Sequence, residues 1–215
     1  MPDRVLADLA AGGQDRQDAL GQGGPGAALP DREIVPGELL DLAGRRLRAV
    51  RTPGHVCLHL EERHPAGLPG HGRLFSGDHL LPGISPHAGL YEDPDDETVT
   101  DPLGDSLDSL ERIGRLGVAE VLPAHQHAFP DAAGRVRELL DHHEDRLAGL
   151  LALLAAPLTP WQLAERMEWN RPWDRIPYGS RNIAAGEAEA HIRRLVKPGR
   201  AEAVTGTEPV AYVAV

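Results

Sequence analysis

Three times between Thr52 and His125 the sequence leaves a short strand-like stretch, passes through a small residue, and arrives at a histidine or an aspartate. The three runs are Thr52-Pro-Gly-His55, Phe75-Ser-Gly-Asp78-His79 and Leu122-Pro-Ala-His125. A small residue permits a tight turn or a close backbone approach at a strand exit. Loops held by a rigid sheet are where functional side chains concentrate. The pattern predicts an α/β chain whose sheet gathers imidazole, carboxylate and imidazole along one edge.

Composition narrows the chemistry. Ten of the eleven histidines fall between His55 and His143, and Cys57 is the only cysteine. Imidazole and carboxylate are then the metal ligands on offer, and an internal disulfide framework is excluded. Aromatic residues make up 4% of the chain, so the core must be built from Leu, Val, Ile and Ala. The net charge of −11 argues against a protein whose main task is gripping a nucleic acid backbone. No apolar run reaches the ~18 residues of a membrane span. Met1–Ala10 has no apolar signal region, so a cytoplasmic location is expected.

Along the chain, residues 1–30 read as a flexible segment ending in the Gly/Pro-rich stretch Gly21–Gly26. Glu38–Leu42 and Arg45–Arg51 flank Ala43-Gly44 as a hairpin does. Val56–Leu60, Arg73–Ser76 and Val118–Leu122 are further strands. Glu92–Glu111 carries nine acidic residues and no basic one. Its second part opens a helix, with Asp101 as N-cap, Pro102 in the first turn and Gly117 past the end. A long helix spans Asp131 to Ala156, with Val136, Leu139, His143, Leu147 and Leu150 on its inner face.

After Pro157 the character shifts. Thr159-Pro-Trp-Gln162 is a capping box opening a short helix through Met167. A loop over 170–178, a helix over Ile183–Lys197 and two strands, Ala201–Val204 and Val210–Val215, follow. Residues 158–215 carry eight basic and seven acidic groups, net +1, against 14 basic and 26 acidic in the rest, net −12. A core domain over 31–157 and a winged-helix-like domain over 158–215 are expected.

Three ligand loops meeting at one edge suit a Zn2+ ion, which lowers the pKa of bound water toward ~7 and supplies hydroxide for hydrolysis. In their order, Thr-Pro-Gly-His, Ser-Gly-Asp-His and Pro-Ala-His resemble the C-terminal half of the metallo-β-lactamase-fold superfamily of zinc hydrolases. The branch with a C-terminal winged-helix-like extension is most similar, through Glu189-Ala-His-Ile192 before the wing. That branch contains glyoxalase II-type thioesterases and endoribonuclease-like proteins. The resemblance implies part of an αββα sandwich, a mixed sheet flanked by helices. It also implies two zinc ions in complete relatives, with His55 a ligand of the first, Asp78 the catalytic bridge between them and His125 a ligand of the second. Substrates would be esters, thioesters, lactones or phosphodiesters, cleaved by metal-bound hydroxide.

Two departures matter. The family's His-x-His-x-Asp-His motif, which supplies most of both metal sites, is absent, so the sequence reads as a truncated member. It is expected to be weakly active or inactive on its own. Burial is worth ~25 cal/mol per Å² of apolar surface against a typical stability of ~5–15 kcal/mol, so the exposed sheet face needs a cover. Preceding residues or a second copy of the chain would provide it. The loop after Gly54 is also about four residues shorter than the family pattern, with His59 inside the next strand.

Other residues have plainer readings. Cys57 is a small core residue, and Trp161, Trp169 and Trp173 form the core of the tail. His142-His143 places one ring inward and one outward. His79 is either a substrate contact or a structural residue, His87 lies on a loop that could line a pocket, and His64 and His71 are solvated. The alternative function is a non-catalytic winged-helix-like module for a partner or nucleic acid, with Arg193, Arg194, Lys197 and Arg200 as a basic stripe.

Overall fold

A computed structural model describes residues 34–42, 45–52, 58–63, 72–88, 90 and 100–215. The segment 1–30, the Ala43-Gly44 turn, the acidic run after Leu90, and His55, Cys57, His64 and His71 lie outside the described residues. The chain divides into two units, Met1–Val35 and Pro36–Val215, and every element below belongs to the second. The hairpin strands are β1, Leu39–Leu42, and β2, Arg45–Arg51. Leu47 and Ala49 are buried, whereas Arg46 is exposed and Arg48 and Val50 are half-buried, the two-residue period of a pleated strand. β3, Leu58–Arg63, and β4, Gly72–Gly77, continue the meander.

α1, Pro102–Gly114, then crosses to β5, Glu120–Pro123. The sheet order is β1-β2-β3-β4-β5, antiparallel up to β4 and parallel between β4 and β5. A parallel neighbour requires such a crossover, and a helix is the usual one. α2, Ala132–Leu153, packs against α1. Leu74 and Val121 from the sheet, Leu110 and Ile113 from α1, and Val136 and Leu139 from α2 share one core. As the lack of aromatics requires, its buried members are Leu, Ile, Val and Ala.

The helix starts have a common design. The Asp101 carboxylate accepts from Gly104 N at 2.8 Å, and that of Asp131 accepts from Gly134 N at 2.7 Å. A Cβ on Gly104 would lie 2.2 Å from Asp101 Oδ2, so glycine there lets the capping carboxylate close in. α1 ends earlier than Gly117 suggests. Arg115 and Leu116 donate to carbonyls three residues back, tightening the last turn, and Gly117 sits beyond it at φ +63°.

Beyond Pro157 come α3, Pro160–Ala164, a 3-10 turn at Trp173–Arg175, α4, Tyr178–Val196, and a hairpin of β6, Ala201–Val204, with β7, Ala211–Ala214. The Thr159 capping box forms with both reciprocal bonds. α4 starts five residues before Ile183, because Pro177 opens it without a side-chain cap that sequence could reveal. Leu150 and Leu154 at the end of α2 share a second core with Leu163, Ile192 and Ala201. Trp169 and Trp173 pack against that core, and Trp161 meets Trp173 edge to face at 5.6 Å. No described helix is long and apolar enough to cross a membrane.

Polar contacts fasten α4 to the preceding helices, two of them at buried groups. The buried Asp101, besides capping α1, accepts from Arg194 Nη1 at 3.0 Å. His143 of α2 and His191 of α4, both buried, meet with Nδ1 and Nε2 3.2 Å apart. The Glu187 carbonyl lies 2.7 Å from His191 Nδ1 and can only accept, so that nitrogen carries the proton. A neutral His191 then accepts through Nε2, and His143 Nδ1 is the donor. Burial holds both rings neutral, lowering His143 from 6.5 to about 3 and His191 to about 4.

Asp101→Ala removes a cap and a charge-assisted hydrogen bond, and should cost about 2–4 kcal/mol in urea unfolding, with Asp101→Asn, which still caps, costing roughly half. The histidine pair sets a pH dependence. Its folded-state pKa values lie below those of the unfolded chain, so the unfolded chain binds protons first as pH drops. Stability should be full above pH 6.5 and fall through the interval toward pH 4. The limiting slope is about 1.4 kcal/mol per pH unit for each ring. His143→Gln should remove about half of that slope, and urea midpoints that stay level between pH 6.5 and 5 would contradict the assignment.

Candidate metal centre

Strand direction decides which loops meet. β3 runs against both β2 and β4, and β5 runs with β4, so β2, β4 and β5 all point the same way. Their C-terminal ends lie at one edge, and these are the ends that lead into the three loop motifs. Adjacent strands sit about 4.8 Å apart, which makes the β4 and β5 exits immediate neighbours, with the β2 exit about 10 Å from β4. Thr52, which opens the first motif, is fully buried there. His55 lies outside the described residues.

At the β4 exit the pairing with β5 slips by one residue between Phe75 and Gly77. Gly77 takes φ +55°, the left-handed region that a side chain resists. Its carbonyl accepts from Ala124 N at 2.9 Å, joining the two loops immediately before Asp78 and His125. Ser76 Oγ donates to Leu80 O at 2.8 Å and closes the turn from within. Asp78 Oδ1 and His125 Nε2 come to 3.3 Å, with the Asp78 side chain 34% and the His125 side chain 69% exposed.

That separation suits a shared cation. Two ligands bonded at about 2.0–2.1 Å to a tetrahedral zinc lie about 3.3 Å from each other. A carboxylate oxygen and an imidazole nitrogen are both donors that zinc accepts. Among the described residues no group of three or more His, Cys, Asp or Glu is gathered tightly enough to hold a metal. The site thus shows two donors of suitable type and spacing.

The surrounding loops are pinned by residues that the motifs do not reveal. Arg135, in the first turns of α2, donates to Leu81 O at 2.8 Å and to Ile84 O at 3.0 Å. A cation near a helix N-terminus opposes the helix dipole, and that placement is the only local hint of another role. Gln126 takes φ +73°, and its Oε1 accepts from Gly83 N at 2.9 Å. Nothing in a glutamine between two histidines signals a left-handed backbone.

The remaining histidines are dispersed. His79 is 1% exposed, which removes it from direct contact with an external substrate. His127 is exposed, and nearby Phe129 is bridged to Val121. His59 lies on β3. His87 places Nδ1 3.5 Å from Glu187 Oε2, and the other oxygen of that carboxylate is 3.1 Å from Arg146 Nη1. Burial pushes the Glu187 carboxyl up, but the His87 hydrogen bond and the Arg146 charge outweigh it and hold the pKa below the usual value. Of the basic stripe, the two members on α4 are engaged within the fold, while Lys197 and Arg200 lie past its end. Arg193 pairs with Glu189 and Thr100, and Arg194 with Asp101.

No family model matches the chain. Among curated proteins it is 32% identical over 133 residues to the lactamase-like protein nscB of Aspergillus fumigatus, covering 59% of this chain and 34% of the relative. It is 29% identical over 128 residues to the lactamase-like protein aptB of Emericella nidulans, covering 57% and 35%. Among solved structures, a metallo-β-lactamase family protein from Thermus thermophilus superposes with a TM-score of 0.70 at 32% identity. That match covers 87% of this chain and 55% of the other. A β-lactamase domain protein from Burkholderia ambifaria gives a TM-score of 0.75 at 27% identity, covering 89% and 54%. The chain spans about a third of the length of these curated relatives and about half that of the solved neighbours. In fold the chain matches metallo-β-lactamase-fold proteins, and in sequence it is similar to lactamase-like relatives.

Proposed function

We propose that the chain serves a zinc-dependent hydrolase centre, with Asp78 and His125 as metal ligands and His55 as a further donor from the loop after β2. The observation that carries this reading is the 3.3 Å approach of Asp78 Oδ1 to His125 Nε2 at the exits of two parallel strands. When bound, zinc supplies Lewis acidity and makes coordinated water more acidic. Asp78 is partly screened from solvent, and its carboxylate accepts hydrogen bonds only. It therefore suits both metal ligation and the orientation of a water for attack. The exposed His125 leaves the edge open to a substrate from solution. An ester, thioester, lactone or phosphodiester fits this chemistry, and the lactamase-like names of the relatives agree with attack at an acyl centre.

The donors that the family takes from His-x-His-x-Asp-His have no counterpart in this sequence. On its own ligands the chain therefore binds zinc weakly and turns over little. The interaction-module alternative draws no support from α4, whose Arg193 and Arg194 are engaged by Thr100, Glu189 and Asp101.

Zinc competition against a chromophoric chelator should show weak binding by the 215-residue chain. Asp78→Asn or His125→Ala should weaken it by about tenfold or more. Equal affinity in all three proteins would remove Asp78 and His125 from any metal site. Hydrolysis of a p-nitrophenyl ester or a thioester should stay near background.

A further inference from the structure

We infer that Gln126 is a positioning residue for the metal-binding edge, joining the loop that bears His125 to the loop that follows Asp78. This rests on the zinc reading above. Gln126 is the only non-glycine among the described residues with a positive φ, and it directly follows His125. A glutamine resists that conformation, whereas glycine and asparagine adopt it readily, and such residues concentrate where a site constrains the backbone.

Its side chain supplies the constraint. Oε1 accepts from the backbone of Gly83, 43 residues earlier and five residues after Asp78. Gly83 has little freedom to drift, because Arg135 holds the carbonyls of Leu81 and Ile84 on either side of it. The approach is close as well, since a Cβ on Gly83 would meet the Gln126 amide at 3.4 Å. Two links therefore fix the His125 loop to the Asp78 loop. One is the Ala124–Gly77 backbone bond before the ligands, and the other is the Gln126–Gly83 bond after them. A ligand bracketed on both sides keeps its distance from its neighbour, and metal affinity depends on that distance.

The contact is exposed, so it adds little to global stability, and this separates positioning from a structural role. Gln126→Gly and Gln126→Asn both accept the left-handed backbone, and neither can reach Gly83. In the full chain each should weaken zinc binding by roughly tenfold in chelator competition. The metal-free melting temperature should stay unchanged or rise. Amide hydrogen exchange at Gly83 should speed up in both variants. Wild-type zinc affinity in both, while Asp78→Asn and His125→Ala still weaken it, would overturn the positioning role and leave the zinc reading intact. A parallel loss of melting temperature with unchanged zinc affinity would mark Gln126 as structural. Absence of zinc binding by the wild type would overturn both.

Discussion

The parallel pairing of β4 with β5 is the constraint on which the rest of the structure depends. An antiparallel partner at that edge would have sent the Pro123-Ala124-His125 loop to the far side of the sheet. Parallel pairing demands a crossover, and α1 provides it while covering Leu74 and Val121. The crossover in turn needs a firm start, which Asp101 gives by capping α1 and binding Arg194 of α4. One carboxylate thus links the crossover helix to α4, and the exits of β4 and β5 are left side by side.

How much of this was legible in the sequence depended on whether the signal was local. The Asp101 cap and the Thr159 capping box are written within four residues, and each forms as expected. The start of α4 at Tyr178 was hidden, because Pro177 and the residues before it offer no capping side chain. The three loop motifs were visible as motifs, but the strand order that puts Asp78 beside His125 is a property of the whole sheet. Gln126 was the least legible of all. Its role depends on a backbone angle that its residue type disfavours and on a partner 43 positions away.

The histidines show how weak composition is as a guide to function. Their abundance suggested metal ligation, yet the most strongly perturbed pair, His143 and His191, fastens two helices. Burial makes these rings neutral, and neutrality lets one donate while the other accepts. A carboxylate between them would have restored the charge and called for further partners. His87 and Arg146 both face Glu187, so a second polar cluster joins α4 to α2 and to the loop of His87. The cationic stripe is similar in part: Arg193 and Arg194, which read as an interaction surface, are spent on internal contacts.

The family relationship and the geometry of the β4 and β5 exits together make a specific claim about where a cation sits. A crystal of the chain soaked in zinc and measured across the zinc absorption edge tests it directly. An anomalous peak about 2.0–2.2 Å from both Asp78 Oδ1 and His125 Nε2 is the predicted result. Zinc ordered elsewhere on the surface, with these two side chains uncoordinated, would contradict the account.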